Sequence, residues 1–223
     1  MTTQPGQALP IAALDPPHTV PAFATHIDHY LLPDHETLNP ALLAAIAGWR
    51  REDPGLASSN RLGWHSSRGL FRRGEAPFQV LQHQIRSALA NGVRRYWRDF
   101  DPARFGMACE GWVNVNGQGA FNTPHEHAAF HLSGCYYVSV PSESTDDSSG
   151  ALEFINPAGA GAAAFPNGAP LVEPKMRLRP RAGMMVIFPS HVLHWVYPNQ
   201  DATDRVSIAF NMRVVAKEQR PAG

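Results

Sequence analysis

The sequence predicts an α+β domain that is mainly β, with helices placed ahead of a jelly-roll sandwich or barrel. Three observations carry this. Helical periodicity is confined to the residues before Phe105; short alternating apolar runs separated by turn-forming stretches follow it; and twenty prolines with eighteen glycines suit short strands joined by turns. A chain of 223 residues is ordinary for one large domain. At this size folding buries roughly 70% or more of the unfolded chain's surface, so no staple is required.

Residues 1–22, rich in Pro, Ala and Thr without periodicity, are expected to form an extended lead-in, and residues 23–223 a single domain. Phe23 to Leu32 is the first expected strand. Asn39 followed by Pro40 predicts a helix start, as N-cap and first helical residue, and Leu42, Leu43, Ile46 and Trp49 follow at helical spacing up to Asp53-Pro54-Gly55. Ser59 to Phe71 has no clear period and reads as loop with a short strand. Pro77 opens the strongest helix, in which Phe78, Leu81, Ile85, Leu89, Val93 and Tyr96 form one apolar stripe suited to packing on the outside of a sheet. Helical support thus covers about 38–100 and the jelly-roll core about 105–215. Strands are expected at Met107 to Val115, Leu132 to Val140, Ala151 to Ile155, Lys175 to Leu178, Met184 to Phe188 and Val206 to Val214. Turn-forming runs separate them at Pro141 to Gly150, Asn156 to Pro170 and Arg179 to Gly183.

Nineteen basic and nineteen acidic residues cancel, and neither sign forms a long block. The chain therefore carries no electrostatic footprint for nucleic acid or an anionic membrane. No apolar stretch approaches the ~20 residues that span a bilayer, and the N-terminus has no signal-peptide pattern, so a soluble, cytoplasmic protein is expected. Cys109 and Cys135 fall inside expected strands rather than in a spaced framework, which points to buried thiols in a reducing compartment. Nothing in the sequence specifies an oligomeric state.

Chemistry concentrates in two stretches. Asn114 to Val140 places His125 and His127 two apart, after Asn122-Thr123-Pro124 read as a turn and at the edge of a strand. Strand alternation puts both imidazoles on one face and Glu126 on the other. Such a pair either holds a metal or forms a polar cluster at a sheet end. Gly183 to Asn211 reads as two strands flanking a loop that carries His191 and His194. One further imidazole from it would give three ligands and leave the remaining positions open, as catalytic metals need. Arg205 and Ser207, two apart on the last strand, put a guanidinium and a hydroxyl on one face, an arrangement suited to a carboxylate. The plain alternative for Arg205 is a surface ion pair with Asp201 or Asp204. Of the eleven histidines, His18, His26, His29, His35 and His83 read as solvated or hydrogen-bonded residues, and His65 and His131 are open.

The ordered set P-H-E-H, L-S-G-C-Y-Y-V, G-A-L-E-F-I-N-P, F-P-S-H-V-L-H-W-V-Y-P and R-V-S-I-A-F-N resembles the iron(II)/2-oxoglutarate-dependent oxygenases of the double-stranded β-helix class. In particular it is similar to a bacterial and phage branch with P-H-x-H in place of H-x-D; S-N-R-L-G-W-H-S, from Ser59 to Ser66, is similar too, so the resemblance spans about residues 58–215. It implies a double-stranded β-helix core with the N-terminal helices on one face. It also implies Fe(II) at His125, His127 and His194, with His191 a bystander. The far carboxylate of 2-oxoglutarate would be clamped by Arg205, assisted by Ser207 and Tyr137. The implied reaction is a dioxygenase oxidation, by default a hydroxylation, of a small-molecule or peptide substrate, consuming dioxygen and releasing succinate and CO2.

The chain departs from the wider class in having His127 where a carboxylate ligand would stand. That favours a three-histidine site and leaves His125/Glu126/His194 as the lesser option if the strand bulges. Three-histidine sites also serve cupin-like dioxygenases and zinc hydrolases that use no 2-oxoglutarate, and a non-catalytic β-sandwich would bind no metal at all. The Ser59 to Phe71 and Asn156 to Pro170 segments are expected to wall the pocket.

Overall fold

The computed structural model describes residues 23–141, 148–159 and 163–217. The expected lead-in lies outside them, as do parts of the Ser/Asp-rich and Gly/Ala-rich turns. Two helices precede the main run of strands, as the periodicity predicts. The first, α1, spans His35–Glu52 and starts ahead of the expected Asn39-Pro40 signal, with Asp34 at its N-cap. Pro40 lies inside it, beyond the first turn, so one intrahelical hydrogen bond is missing there. Asn39 does not cap; it is buried and its Oδ1 accepts from the Tyr136 hydroxyl at 2.6 Å. The second, α2, spans Ala76–Tyr96 and buries Phe78, Leu81, Ile85, Leu89 and Val93 as the stripe requires, while Tyr96 is exposed.

The strands are β1 Asp28–Leu31, β2 Asn60–Arg61, β3 Trp64–His65, β4 Phe105–Asn116, β5 Phe121–His125, β6 Leu132–Ser139, β7 Leu152–Ile155, β8 Lys175–Leu178, β9 Met184–Pro189, β10 His194–Val196 and β11 Arg205–Ala216. They form two antiparallel sheets, ordered β1-β9-β6-β11-β4-β3 and β2-β5-β10-β7-β8. The Phe23 to Leu32 expectation shrinks to β1. Two strands correct the sequence reading outright. Asn122-Thr123-Pro124 is not a turn but the body of β5, and His194 opens a short strand, β10, rather than sitting in a loop. Pro124 is tolerated because the β5–β10 ladder pairs at Asn122 and His125 with a register shift between, so the missing N–H falls outside it. A strand of three residues is too short to show alternation.

Alternation in the large sheet sorts the two cores. Leu132, Tyr136 and Val138 of β6, Val113 and Val115 of β4, Met185 and Ile187 of β9, and Val206, Ile208, Phe210 and Met212 of β11 face α1 and α2. Each such fully buried side chain contributes about 1.5–3 kcal/mol. The residues between them face the second sheet. At one end Met184, Val186 and Phe188 pack on Leu152, Phe154 and Val196 as a smaller apolar core. Elsewhere the inter-sheet face is polar: Trp112, Asn114 and Asn116 of β4, Ser133 of β6, and Arg205, Ser207 and Asn211 of β11. Polar side chains on an otherwise buried face are where a ligand belongs.

Cys109 and Cys135 are free, half-buried thiols. No helix among the described residues is long and apolar enough to cross a membrane.

Candidate metal centre and carboxylate clamp

His194 and His125 are register partners across the β10–β5 ladder, and His127 follows the end of β5, where its N–H donates to Ser190 O at 2.8 Å. The fold thereby brings the three named imidazoles together. Ring centroids lie 4.4 Å apart for His125 and His194, 5.0 Å for His125 and His127, and 5.3 Å for His127 and His194. One nitrogen from each lies within 4.8 Å of the others. Glu126 is exposed and stands outside this group, as does exposed His191.

Backbone carbonyls orient two of the rings. His125 Nδ1 donates to Thr123 O at 2.7 Å and His194 Nδ1 donates to Val192 O at 2.8 Å. Each bond fixes the tautomer and leaves Nε2 with a lone pair for a metal. Burial, then the neighbouring His125, pushes the His194 pKa down to about 3; burial, then His125 and Arg68, lowers that of His127 to about 4. Burial lowers His125 as well. All three are therefore neutral at ordinary pH, the state in which imidazole ligates.

Behind β10, on the outer face, Glu153 of β7 is 2% exposed and accepts from Trp195 Nε1 at 3.1 Å, Tyr197 Oη at 3.0 Å, and Lys175 and Arg177 at 3.3 Å each. One carboxylate thus ties the short strand bearing His194 to β7 and β8.

Arg205 is not in an ion pair among the described residues: Asp204 meets Arg50, and Asp201 accepts from Ser149. Instead the guanidinium is 2% exposed, with Nε donating to Gly150 O at 3.0 Å and Nη1 to Ser207 Oγ at 3.2 Å. It lies 5.0 Å from the centre of the Tyr137 ring, whose buried hydroxyl has no partner and whose pKa burial raises. Gly150 is required at this contact. Its φ is +61°, and a Cβ there would meet Arg205 Cδ at 2.9 Å.

A buried cation without an anion is costly, and so is an unpartnered buried hydroxyl. A carboxylate ligand would satisfy both. Sequence reasoning missed Asn114, which faces Ser207 across the β4–β11 ladder, lines the same cavity, and keeps a buried Oδ1 without a partner. Its place in an apolar alternation, between Val113 and Val115, was the available signal. Of the two expected wall segments, Ser59 lines the cavity, while no described residue of 156–170 does. His65 is buried and stacks on Trp112 at 5.2 Å, and His131 Nδ1 accepts from Val214 N; neither joins the cluster. The cavity itself has a volume of about 50 Å³, space for only a few waters.

Residues 110–211 match the family model described as "Putative 2OG-Fe(II) oxygenase". No curated protein matches the chain. Among solved structures it is similar to a Pseudomonas putida prolyl-4-hydroxylase, at 19% identity and TM-score 0.56, over 84% of this chain and 91% of that one. A prolyl hydroxylase from Trichoplax adhaerens, in complex with a hypoxia inducible factor peptide fragment, aligns at 15% identity and TM-score 0.57 over 83% of each chain. HygX from Streptomyces hygroscopicus, with nickel and 2-oxoglutarate bound, aligns at 12% identity and TM-score 0.53 over 83% of this chain and 82% of that one. At these identities the likeness is one of fold: the double-stranded β-helix of 2-oxoglutarate enzymes.

Proposed function

We propose that this chain works as a 2OG-Fe(II) oxygenase, a reading that the match of residues 110–211 to that family model supports, that His125, His127 and His194 hold the iron, and that Arg205, Ser207 and Tyr137 hold the far carboxylate of 2-oxoglutarate. The chain is an iron(II)- and 2-oxoglutarate-dependent oxygenase. When bound, the metal and co-substrate supply the oxidising power, with dioxygen consumed and succinate and CO2 released. What the chain's own residues contribute can be derived from their surroundings.

The three imidazoles offer neutral nitrogens, two of them aimed by carbonyl hydrogen bonds, and leave the remaining coordination positions to ligands that are not protein. Arg205 supplies charge and a planar donor fork inside a wall that excludes water. Ser207 keeps that fork oriented, and Tyr137 adds a hydroxyl that has no other use. Leu152, Phe188 and Val196 close the cavity with apolar surface. Because the cavity holds only a few waters, admission of a dicarboxylate must move side chains in its wall.

The single observation that carries this reading is the buried Arg205, without an ion pair among the described residues, in the same cavity as the three histidines. A three-histidine enzyme working without 2-oxoglutarate would leave that guanidinium without an anion among the described residues. The test is anaerobic titration: Ni(II) should bind stoichiometrically, and 2-oxoglutarate should then bind the metal-loaded protein. On admitting air to Fe(II)-loaded protein, succinate should form from 2-oxoglutarate. Metal binding with no affinity for 2-oxoglutarate and no succinate would overturn the reading. The proposed substrate class is a small molecule or peptide, narrowed below.

A further inference from the structure

Exposure rises along the cavity-facing row of β4 and β11. Arg205 is 2% exposed, the Glu110 side chain 24%, and the Arg68 side chain, on the segment after β3, 53%. Glu110 and Arg68 thus stand on the solvent side of two cavity-lining residues, Trp112 and Asn211. There Arg68 Nη1 donates to Glu110 Oε1 at 3.3 Å, and its guanidinium carbon stands 5.6 Å from the centre of the Trp112 ring. Trp112 in turn lines the cavity and meets the edge of His127, with centroids 5.9 Å apart. Glu110 is fixed from inside. Asn211, 2% exposed, donates from Nδ2 to the same Oε1 at 3.1 Å while its Oδ1 accepts from Ser133 Oγ at 2.8 Å.

One acid and one base thus stand side by side next to the cavity, each oriented by a cavity-lining neighbour and each half used. Among the described residues, Glu110 Oε2 and the Nε/Nη2 edge of Arg68 have no partner. We propose that this pair is the substrate head-group subsite and that the substrate is a free zwitterionic α-amino acid. Its carboxylate lies on the open fork of Arg68 and its ammonium on Glu110 Oε2, with its side chain directed past Trp112 toward His127. The proposal rests on the oxygenase reading above.

The physical reasons are three. A single-contact, exposed ion pair is weak, so it adjusts to a guest at little cost. A zwitterion offers each residue an opposite charge at its unpartnered edge, and its ammonium nitrogen, bonded to the α-carbon, and its carboxylate oxygens, two bonds from it, are close enough to match a neighbouring acid and base. A residue inside a peptide carries neither charge and leaves Arg68 and Glu110 to pair with each other. A site built to hydrogen-bond a charged group discriminates strongly against an analogue that lacks it.

The experiment uses the full chain loaded anaerobically with Ni(II) and 2-oxoglutarate, and reads binding by calorimetry. The probes are the proteinogenic L-amino acids one at a time, then the N-acetyl and carboxamide derivatives of any that binds, and a peptide carrying that residue internally. At least one free amino acid should bind, and each derivative should bind about 10-fold or more weakly. Arg68→Gln should abolish the preference for acid over carboxamide, and Glu110→Gln that for amine over N-acetyl. The proposal is overturned if no free amino acid binds while metal and 2-oxoglutarate do, if the derivatives bind equally well, or if the peptide binds more tightly. Failure of Ni(II) or 2-oxoglutarate to bind would instead sink the oxygenase reading and take this subsite with it.

Discussion

His194 on β10 and His125 on β5 are antiparallel register partners whose ring centroids lie 4.4 Å apart, although sixty-nine positions separate them in the chain. The convergence is a property of the small sheet: the pairing of two short strands, rather than any local motif, sets the distance between two nitrogens. His191, in contrast, is on the exposed turn before β10.

Removing His194 should therefore abolish metal retention, and removing His191 should leave it intact. His194→Ala and His191→Ala, each titrated anaerobically with Fe(II) or Ni(II), provide the comparison. Metal loss in the second and not the first would reassign the distal ligand.

Arg205→Ala should weaken 2-oxoglutarate while sparing Ni(II). A charge-assisted contact contributes about 1.5–3 kcal/mol, so the dissociation constant for the co-substrate should rise roughly 10- to 150-fold. Calorimetry on the Ni(II)-loaded variant reads this directly. Unchanged co-substrate affinity would strip Arg205 of its role.

The histidine cluster should make the metal-free protein acid-sensitive. In the unfolded chain these rings titrate near 6.5, whereas in the fold His127 is lowered to about 4 and His194 to about 3, chiefly by burial. Between those values the unfolded state binds more protons, so stability is full above about pH 6.5 and falls as pH drops toward the folded values. The loss should be on the order of a few kcal/mol from these buried groups. Denaturant midpoints of the apoprotein across pH 7 to 4 check it, and a flat profile would contradict the burial of the rings.

Glu153→Gln should cost about 1.5–3 kcal/mol of stability, because one buried carboxylate accepts from Trp195, Tyr197, Lys175 and Arg177 and the neutral amide cannot serve all four. Metal affinity should fall with it, since these contacts hold the strand that carries His194. Urea unfolding and a Ni(II) titration on the same variant separate the two effects. No change in either would mean that β10 is held by its backbone pairing alone.

The α2 stripe and the strands of the large sheet were legible because each rests on a period within one element; the His-x-His pair was legible by its spacing, although His127 lies beyond the end of β5 rather than on the strand with His125. The Asn122-Thr123-Pro124 turn was misread for a matching reason. Turn-type residues are a local signal, and the pairing of β5 with β2 and β10 overrides it. β10 itself is too short to show a period, and α1 starts after Asp34, whose side chain makes no cap, while Asn39 packs on Tyr136 instead of capping.

The sequence alone specified a mainly β domain with two supporting helices, the residues able to ligate a metal, and, through resemblance, the chemistry they serve. Tertiary structure alone showed that His125, His127 and His194 converge, that Arg205 is buried with no ion pair among the described residues, that Asn114 lines the same cavity, and that Arg68 and Glu110 pair beside Trp112. Periodicity is written between near neighbours in the chain, whereas convergence, burial and the absence of a partner depend on which distant strands hydrogen-bond and in what register.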